Sequence, residues 1–282
     1  MRTVAVTLLL LTLAALPVCA QNVCRPPDNS NEANTLAAMS VPIAFAPLDA
    51  PRPARPGAIQ VALEGTYIPQ IDSVTRTPTI CRPGKGAEQT QLLVAFPRPR
   101  VLIGLPGGLQ FEGAWVPPIT INSVKANLGS AALSRGFPLG RGNTVLGIRA
   151  HATFGVVNAP ITCPADQLAN PASECFQGTQ SDDRYHPNIF GAEGTLGWAM
   201  AGGQLHPYIG GGVNVLHPRF QVNFVNRFGD LDNTRVEVNL TRGVVFGGLA
   251  WRVAPGWGVS AEIYAQPADA VTGRLALGYA IR

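Results

Sequence analysis

Val259-Ser260-Ala261-Glu262-Ile263-Tyr264-Ala265-Gln266, then a short break, then Leu275, Leu277, Tyr279 and Ile281 opposite Arg274, is the stretch that decides the fold. Val259, Ala261, Ile263 and Ala265 fall on one face. Ser260, Glu262, Tyr264 and Gln266 fall on the other. A period of two is that of a β-strand with unlike faces, and a helix would repeat every 3.6 residues. The same alternation recurs upstream. Ile59, Val61, Leu63 and Tyr67 alternate with Gln60, Glu64 and Thr66. Leu109, Phe111 and Trp115 alternate with Gln110 and Glu112. Leu146, Ile148, Phe154 and Val156 oppose Arg149, His151 and Thr153.

Ten strands are expected: 58–72, 89–105, 108–117, 119–133, 143–157, 187–200, 204–216, 234–251, 256–266 and 271–282. Pro97 and Pro99 interrupt the second, because proline cannot donate to a ladder. The fourth loses phase between Ile121 and Val124, as a bulge would cause. The connections sort by length. Those at 73–88, 158–186 and 217–233 are long and all fall on one side, and none on the other side is. Pro106-Gly107-Gly108, Ala201-Gly202-Gly203 and Ala254-Pro255-Gly256 supply compact turns. Long loops at one end and short turns at the other, with an even strand count, describe an antiparallel transmembrane β-barrel; eight to twelve strands are compatible with the pattern.

The start of the chain places it outside the cytoplasm. Arg2, an apolar run from Val4 to Leu16, and Val18-Cys19-Ala20 form a secretory signal peptide with cleavage expected after Ala20. The run is too short to anchor as a helix, and Leu16-Pro17-Val18-Cys19 fits a lipidation site poorly. After residue 20 no apolar run is long enough for a membrane helix. Charged residues make up only 13% of the chain. A secreted chain so poor in charge can enter a membrane by closing a barrel, which satisfies its backbone between strands. With 21 basic against 17 acidic residues and no basic run, nucleic acid is excluded as a partner.

Residues 21–57 are rich in Pro and Ala, with Pro51 to Pro56 as an extended linker and a short helix expected near Glu32 to Met39. Residues 58–282 form the barrel. Four cysteines remain after the signal, an even number that reads as two disulfides in an exported chain. Cys163 and Cys175 share one polar stretch and pair, leaving Cys24 with Cys81. A metal site is not indicated, since neither CxxC spacing nor clustered His occurs, and no cofactor is expected. Cys24 lies ahead of the first strand while Cys81 lies in the first long loop. The chain between Cys24 and the first strand is long enough to reach through a lumen, so one expectation is that residues 21–57 plug or thread the barrel. The alternatives are a periplasmic tail or a reversed first strand.

The chain resembles the small outer-membrane β-barrel superfamily, the OmpA/OmpW-like barrels. Pro207-Tyr208-Ile209-Gly210-Gly211-Gly212 after a tight turn and the final alternating strand from Arg274 carry the resemblance. It implies an outer-membrane location and insertion by the barrel-insertion machinery. The chain departs from the pattern at its end, where Tyr279-Ala280-Ile281-Arg282 lacks a terminal aromatic residue.

If apolar positions face lipid, then Glu64, Glu112, Arg149, His151, Glu193, Glu262, Arg274 and Lys125 face the lumen. Either they line a polar channel or they pair into a network filling a narrow lumen, and pairing is the expectation for a barrel near this size. Trp115, Trp198, Trp251 and Trp257 fall near strand ends, where membrane interfaces collect aromatic residues. Arg242 shares its phase with Val236, Val238, Leu240, Val244 and Phe246. It is therefore expected on the lipid face, at the outer interface, where an arginine is tolerated. No Gly-x-Ser-x-Gly is present, and His186, His206 and His217 each precede a proline, so no enzyme is expected. The leading expectation is a structural or surface-interaction role in outer-membrane lipid. A small pore for hydrophobic or small polar solutes and a soluble secreted β-protein are the alternatives.

Overall fold

The computed structural model describes residues 23–140 and 143–281. The expected signal peptide lies outside them. Ten antiparallel strands close into a barrel. They are β1 (Ile59–Tyr67), β2 (Ala95–Gly104), β3 (Leu109–Val116), β4 (Val124–Pro138), β5 (Thr144–Ala159), β6 (Ile189–Trp198), β7 (Leu205–Leu216), β8 (Leu240–Ala254), β9 (Trp257–Gln266) and β10 (Ala270–Ala280). Each pairs with the next in the chain, and β10 closes onto β1 with Ala276 opposite Glu64. Closure gives every strand two neighbours, although the β2–β3 pairing covers only Arg100–Gly104 of β2.

Apolar residues of the outward phase, among them Leu63, Ile148, Ile209, Val245, Ile263 and Leu275, are exposed. The buried residues of the inward phase at mid-height are largely charged or polar. This sidedness is the reverse of a soluble barrel and is what a bilayer requires.

Several strand boundaries differ from the expectation: the first strand ends at Tyr67, the second begins at Ala95 and the fourth runs from Val124 to Pro138. Two of the differences have plain local reasons. The phase break near Ile121 is a tight turn, with Asn122 and Ser123 at positive φ folding Thr120–Ile121 back on β4. Residues 235–237 leave the barrel wall before β8 begins. They join a small sheet at the loop end, formed with Asp183–His186, Arg219–Gln221 and Val23–Cys24. That sheet continues from the top of β5.

The N-terminal segment fills the barrel. Val23–Cys24 sits in the loop-end sheet, and helix α1 (Asn31–Ile43) descends from it. Ser30 caps the helix, its hydroxyl accepting from Ala33 N–H at 3.1 Å. Pro42 sits in its last turn, where continuation is disfavoured. The chain then runs extended to the turn end and leaves beside β2, where Gly57 N–H donates to Gly104 O at 2.8 Å. Wall glycines clear this exit. A Cβ on Gly147 would stand 2.5 Å from Pro51 Cβ, and one on Gly136 would stand 2.6 Å from the Arg52 carbonyl carbon.

Candidate functional site: the plugged lumen

The lumen has two zones. In the upper zone α1 turns Leu36, Ala37 and Val41 onto an apolar lining that includes Leu128, Leu216, Leu240, Val244 and Phe246. Tyr185 is fully buried there and donates to Leu36 O at 3.0 Å. Glu32, in the first helical turn, accepts from the backbone N–H groups of Thr79, Ile80 and Cys81 at 2.9, 2.6 and 2.8 Å. Next to it Cys24 and Cys81 are bonded, and Cys163 and Cys175 form a second bridge.

The mid-lumen zone is an ion network. Glu64 stands 3.3 Å from Arg100, 3.8 Å from Arg274 and 3.9 Å from Arg98. Glu112 is 3.2 Å from Arg149 and 3.6 Å from Arg100. Glu193 is 3.0 Å from Arg149 and 3.3 Å from His151. Glu262 is 3.3 Å from Arg274 and accepts from the Tyr208 hydroxyl at 3.0 Å. Four carboxylates thus meet four guanidinium groups, as buried charges require.

The arginines also hold the plug. Arg98 donates to Ile43 O at 2.7 Å, Arg100 to Ala46 O at 2.7 Å, and Arg274 to Val41 O and Ala44 O at 3.0 Å each. Arg149 donates to Phe45 O. The Phe45 ring lies among three cations, with Arg100, Arg149 and Arg98 at 4.0, 4.9 and 5.7 Å from its centre. Cations over a ring face are attracted to it, and more strongly where water is excluded. The segment past Pro42 has left the helix, and its free carbonyls satisfy the guanidinium donors left over from the carboxylates. Below the plug a cavity of about 640 Å³ opens at the turn end.

Glu64, Glu112, Arg149, His151, Glu193, Glu262 and Arg274 all lie in this network. Lys125 does not. It is exposed on the outer face near the top of β4, because the true strand begins at Val124 and its inward members are Val124, Ala126 and Leu128. Arg242 is also not at the lipid interface. It faces inward, 3.2 Å from Asp269 and 3.4 Å from Asn34 Oδ1. The physical reason is the plug: with α1 inside, apolar residues of β8 face inward at the loop end, so apolar phase no longer marks lipid. Trp115, Trp251 and Trp257 point outward and are exposed, and Trp198 is partly exposed. Arg98 and Arg100 were not anticipated. The alternation Pro97-Arg98-Pro99-Arg100 carries their signal, obscured because proline argues against a strand.

A second cluster lies among the loops. Buried Arg82 is 2.7 Å from Glu88, 2.8 Å from Glu174 and 3.3 Å from Asp232. Burial pushes the Glu88 carboxyl up to about 7; Arg82 opposes this and nearby Asp183 adds to it. A carboxyl raised on folding binds its proton more tightly in the native state, so stability falls as pH rises from about 4.5 through about 7. Glu88→Gln is therefore expected to flatten that part of the stability profile, measured by urea unfolding of the barrel at pH 5 and pH 7.5. An unchanged slope would show that Glu88 is ionised throughout.

No family model and no curated protein matches the chain. Solved structures do match. Ail, the attachment invasion locus protein of Yersinia pestis, is 10% identical with TM-score 0.29, over 80% of this chain and 98% of that one. The N-terminal β-barrel domain of Pseudomonas aeruginosa OprF is 8% identical with TM-score 0.28, over 80% and 98%. A designed transmembrane β-barrel is 8% identical with TM-score 0.28, over 82% and 100%. The closed ten-stranded ring, its apolar exterior and its charged interior are observations of this chain alone. In architecture the protein is a closed ten-stranded antiparallel β-barrel with its own N-terminal segment threaded through it.

Proposed function

We propose that the protein is a closed, non-enzymatic outer-membrane barrel that holds a disulfide-braced surface at the loop end. The observation that carries this reading is the threaded lumen, in which residues 41–46 are gripped through their carbonyls by Arg98, Arg100, Arg149 and Arg274. Opening a pore would strip several charge-assisted hydrogen bonds at once, each stronger than a neutral one. The test is conductance in planar bilayers. The folded, oxidised protein should be silent, and steady single-channel steps from heat-modifiable protein would favour the pore reading.

The outer face of the loop-end sheet gives the surface a partner of definite chemistry. Lys125, Asn158, Arg184, Gln221 and Arg235 stand in one cross-strand row. Arg219 stands beside them, and Arg25 and Arg219 share Glu237 at 3.1 and 4.0 Å. Lys125 and Arg184 have no acidic partner within 4.0 Å among the described residues. This row fits phosphorylated headgroups of the surrounding outer leaflet, since basic groups near a charged membrane surface contribute about 1 kcal/mol each. Replacing Lys125 and Arg184 with Gln should weaken association of the detergent-folded barrel with anionic mixed micelles roughly tenfold or more at low salt. Equal binding of both forms would remove the headgroup reading. Insertion by the barrel-insertion machinery is part of the same proposal.

A further inference from the structure

Pro97 and Pro99 lie in β2, and the ladder fixes which way their absent amides would point. Gly104 donates to Ala58 O and Ile68 donates to Val94 O, each at 2.8 Å. Hydrogen-bonded pairs alternate along an antiparallel ladder. The bonded β1–β2 pairs are therefore the even-numbered ones, and odd-numbered residues of β2 turn their N–H toward β3. Leu105 donating to Leu109 O at 2.8 Å agrees. At Pro97 and Pro99 no donor exists. The β2–β3 pairing runs from Gly104–Gln110 to Arg100–Ala114 and stops there, while Ala95–Pro99 pairs with β1 alone. Continued, the register would set Pro99 opposite Trp115 and Pro97 opposite Pro117, a third residue without a donor. The barrel wall is thus unstitched over the top of β2.

Behind this seam lies an apolar pocket of about 100 Å³. Leu93 and Phe96 line it on the β2 side, Ala126 and Leu128 on the β4 side, and Met39 and Ile43 of α1 form its floor. Thr90 also lines it, and its buried hydroxyl has no hydrogen-bond partner among the described residues. Trp115 marks the level of the seam. It is exposed on the outer face and donates to Asn127 Oδ1 at 3.0 Å, as an aromatic at a membrane boundary does.

We propose that this pocket binds a small apolar molecule that enters from the bilayer through the proline seam. A dry cavity of roughly 150 Å³ takes up benzene, and this pocket, at about 100 Å³, sets a single aromatic ring as the largest occupant. The Thr90 hydroxyl adds room for a single hydrogen-bonding group on it. The charged side chains of the ion network do not line the site, and its floor is the plug helix α1.

Methionine supplies the probe. Besides Met1, the chain has Met39 in the pocket floor and Met200, exposed at the turn end. With ¹³C-methyl methionine in the full mature protein in nanodiscs of saturated phospholipid, benzene should shift the Met39 line saturably and leave Met200 unmoved. Ala126→Phe, or Leu93→Trp where the first variant fails to fold, fills the pocket and should abolish the saturable shift. Pro97→Val with Pro99→Val restores two donors at the seam and should slow exchange by roughly tenfold or more, with saturation retained. Met39 and Met200 moving together in proportion to benzene would mean partitioning only and overturn the proposal, as would saturation surviving in the filled variants. In a parallel set of nanodiscs of unsaturated phospholipid, a Met39 line that shifts with the lipid and ignores benzene would assign the pocket to an acyl chain and also overturn it.

Discussion

Arg149→Met is expected to lower the unfolding free energy of the barrel by about 3–5 kcal/mol, because it strands buried charges. Arg149 is the shared partner of Glu112 and Glu193, at 3.2 and 3.0 Å, and it also donates to Phe45 O in the plug. Its own removal matters less than what it leaves behind. Glu193 would retain only His151 at 3.3 Å, and Glu112 only Arg100 at 3.6 Å. Leaving a buried acceptor unsatisfied costs its full desolvation, more for a charged group. Urea unfolding in lipid vesicles measures the effect. Arg227→Met, in an exposed loop turn, should change stability by less than about 0.5 kcal/mol and serves as the comparison. If both variants unfold at the same urea concentration, the network contributes packing and not charge balance. Arg149→Met with Glu193→Gln should recover part of the loss, since the second change removes a stranded charge.

Removing the Cys24–Cys81 bridge is expected to cost about 4 kcal/mol, and removing Cys163–Cys175 about 3 kcal/mol. The two bridges close loops with sequence separations of 57 and 12, and a cross-link stabilises by restricting the unfolded chain, more so for a longer loop. The difference should be larger still in refolding yield. Only the first bridge fixes the end of the segment that must lie inside the ring, beside the Glu32 contacts with Thr79, Ile80 and Cys81. Paired serine variants, compared by urea midpoint and by the fraction that stays heat-modifiable, separate the two contributions. An ordering in which the Cys163–Cys175 variant is the weaker protein would show that loop bracing outweighs the tether.

Particular elements show how much was legible in the sequence. The alternation at 257–266 and 270–280 is set by unlike environments on the two faces, so it appears in the residues themselves. The compact turns behave likewise, as do the sorted loops. Seven of the residues that meet in the lumen were legible for the same reason: a Glu or Arg on the polar side of a strand has one direction to point. Arg98 and Arg100 were hidden by the prolines beside them. Only the closed ring shows that those prolines sit where the ladder is open.

By itself, then, the sequence determined the strand period, the barrel class, the charged interior and the even set of cysteines, because each follows from local chemistry repeated along the chain. The tertiary structure decided what occupies the lumen, and with it the meaning of an apolar side chain on β8. Val244 and Phe246 face inward and Arg242 meets Asp269 because α1 lies against that wall. A strand's own residues record that its two faces differ. They do not record whether the apolar face meets lipid or another part of the same chain, because both are equally dry.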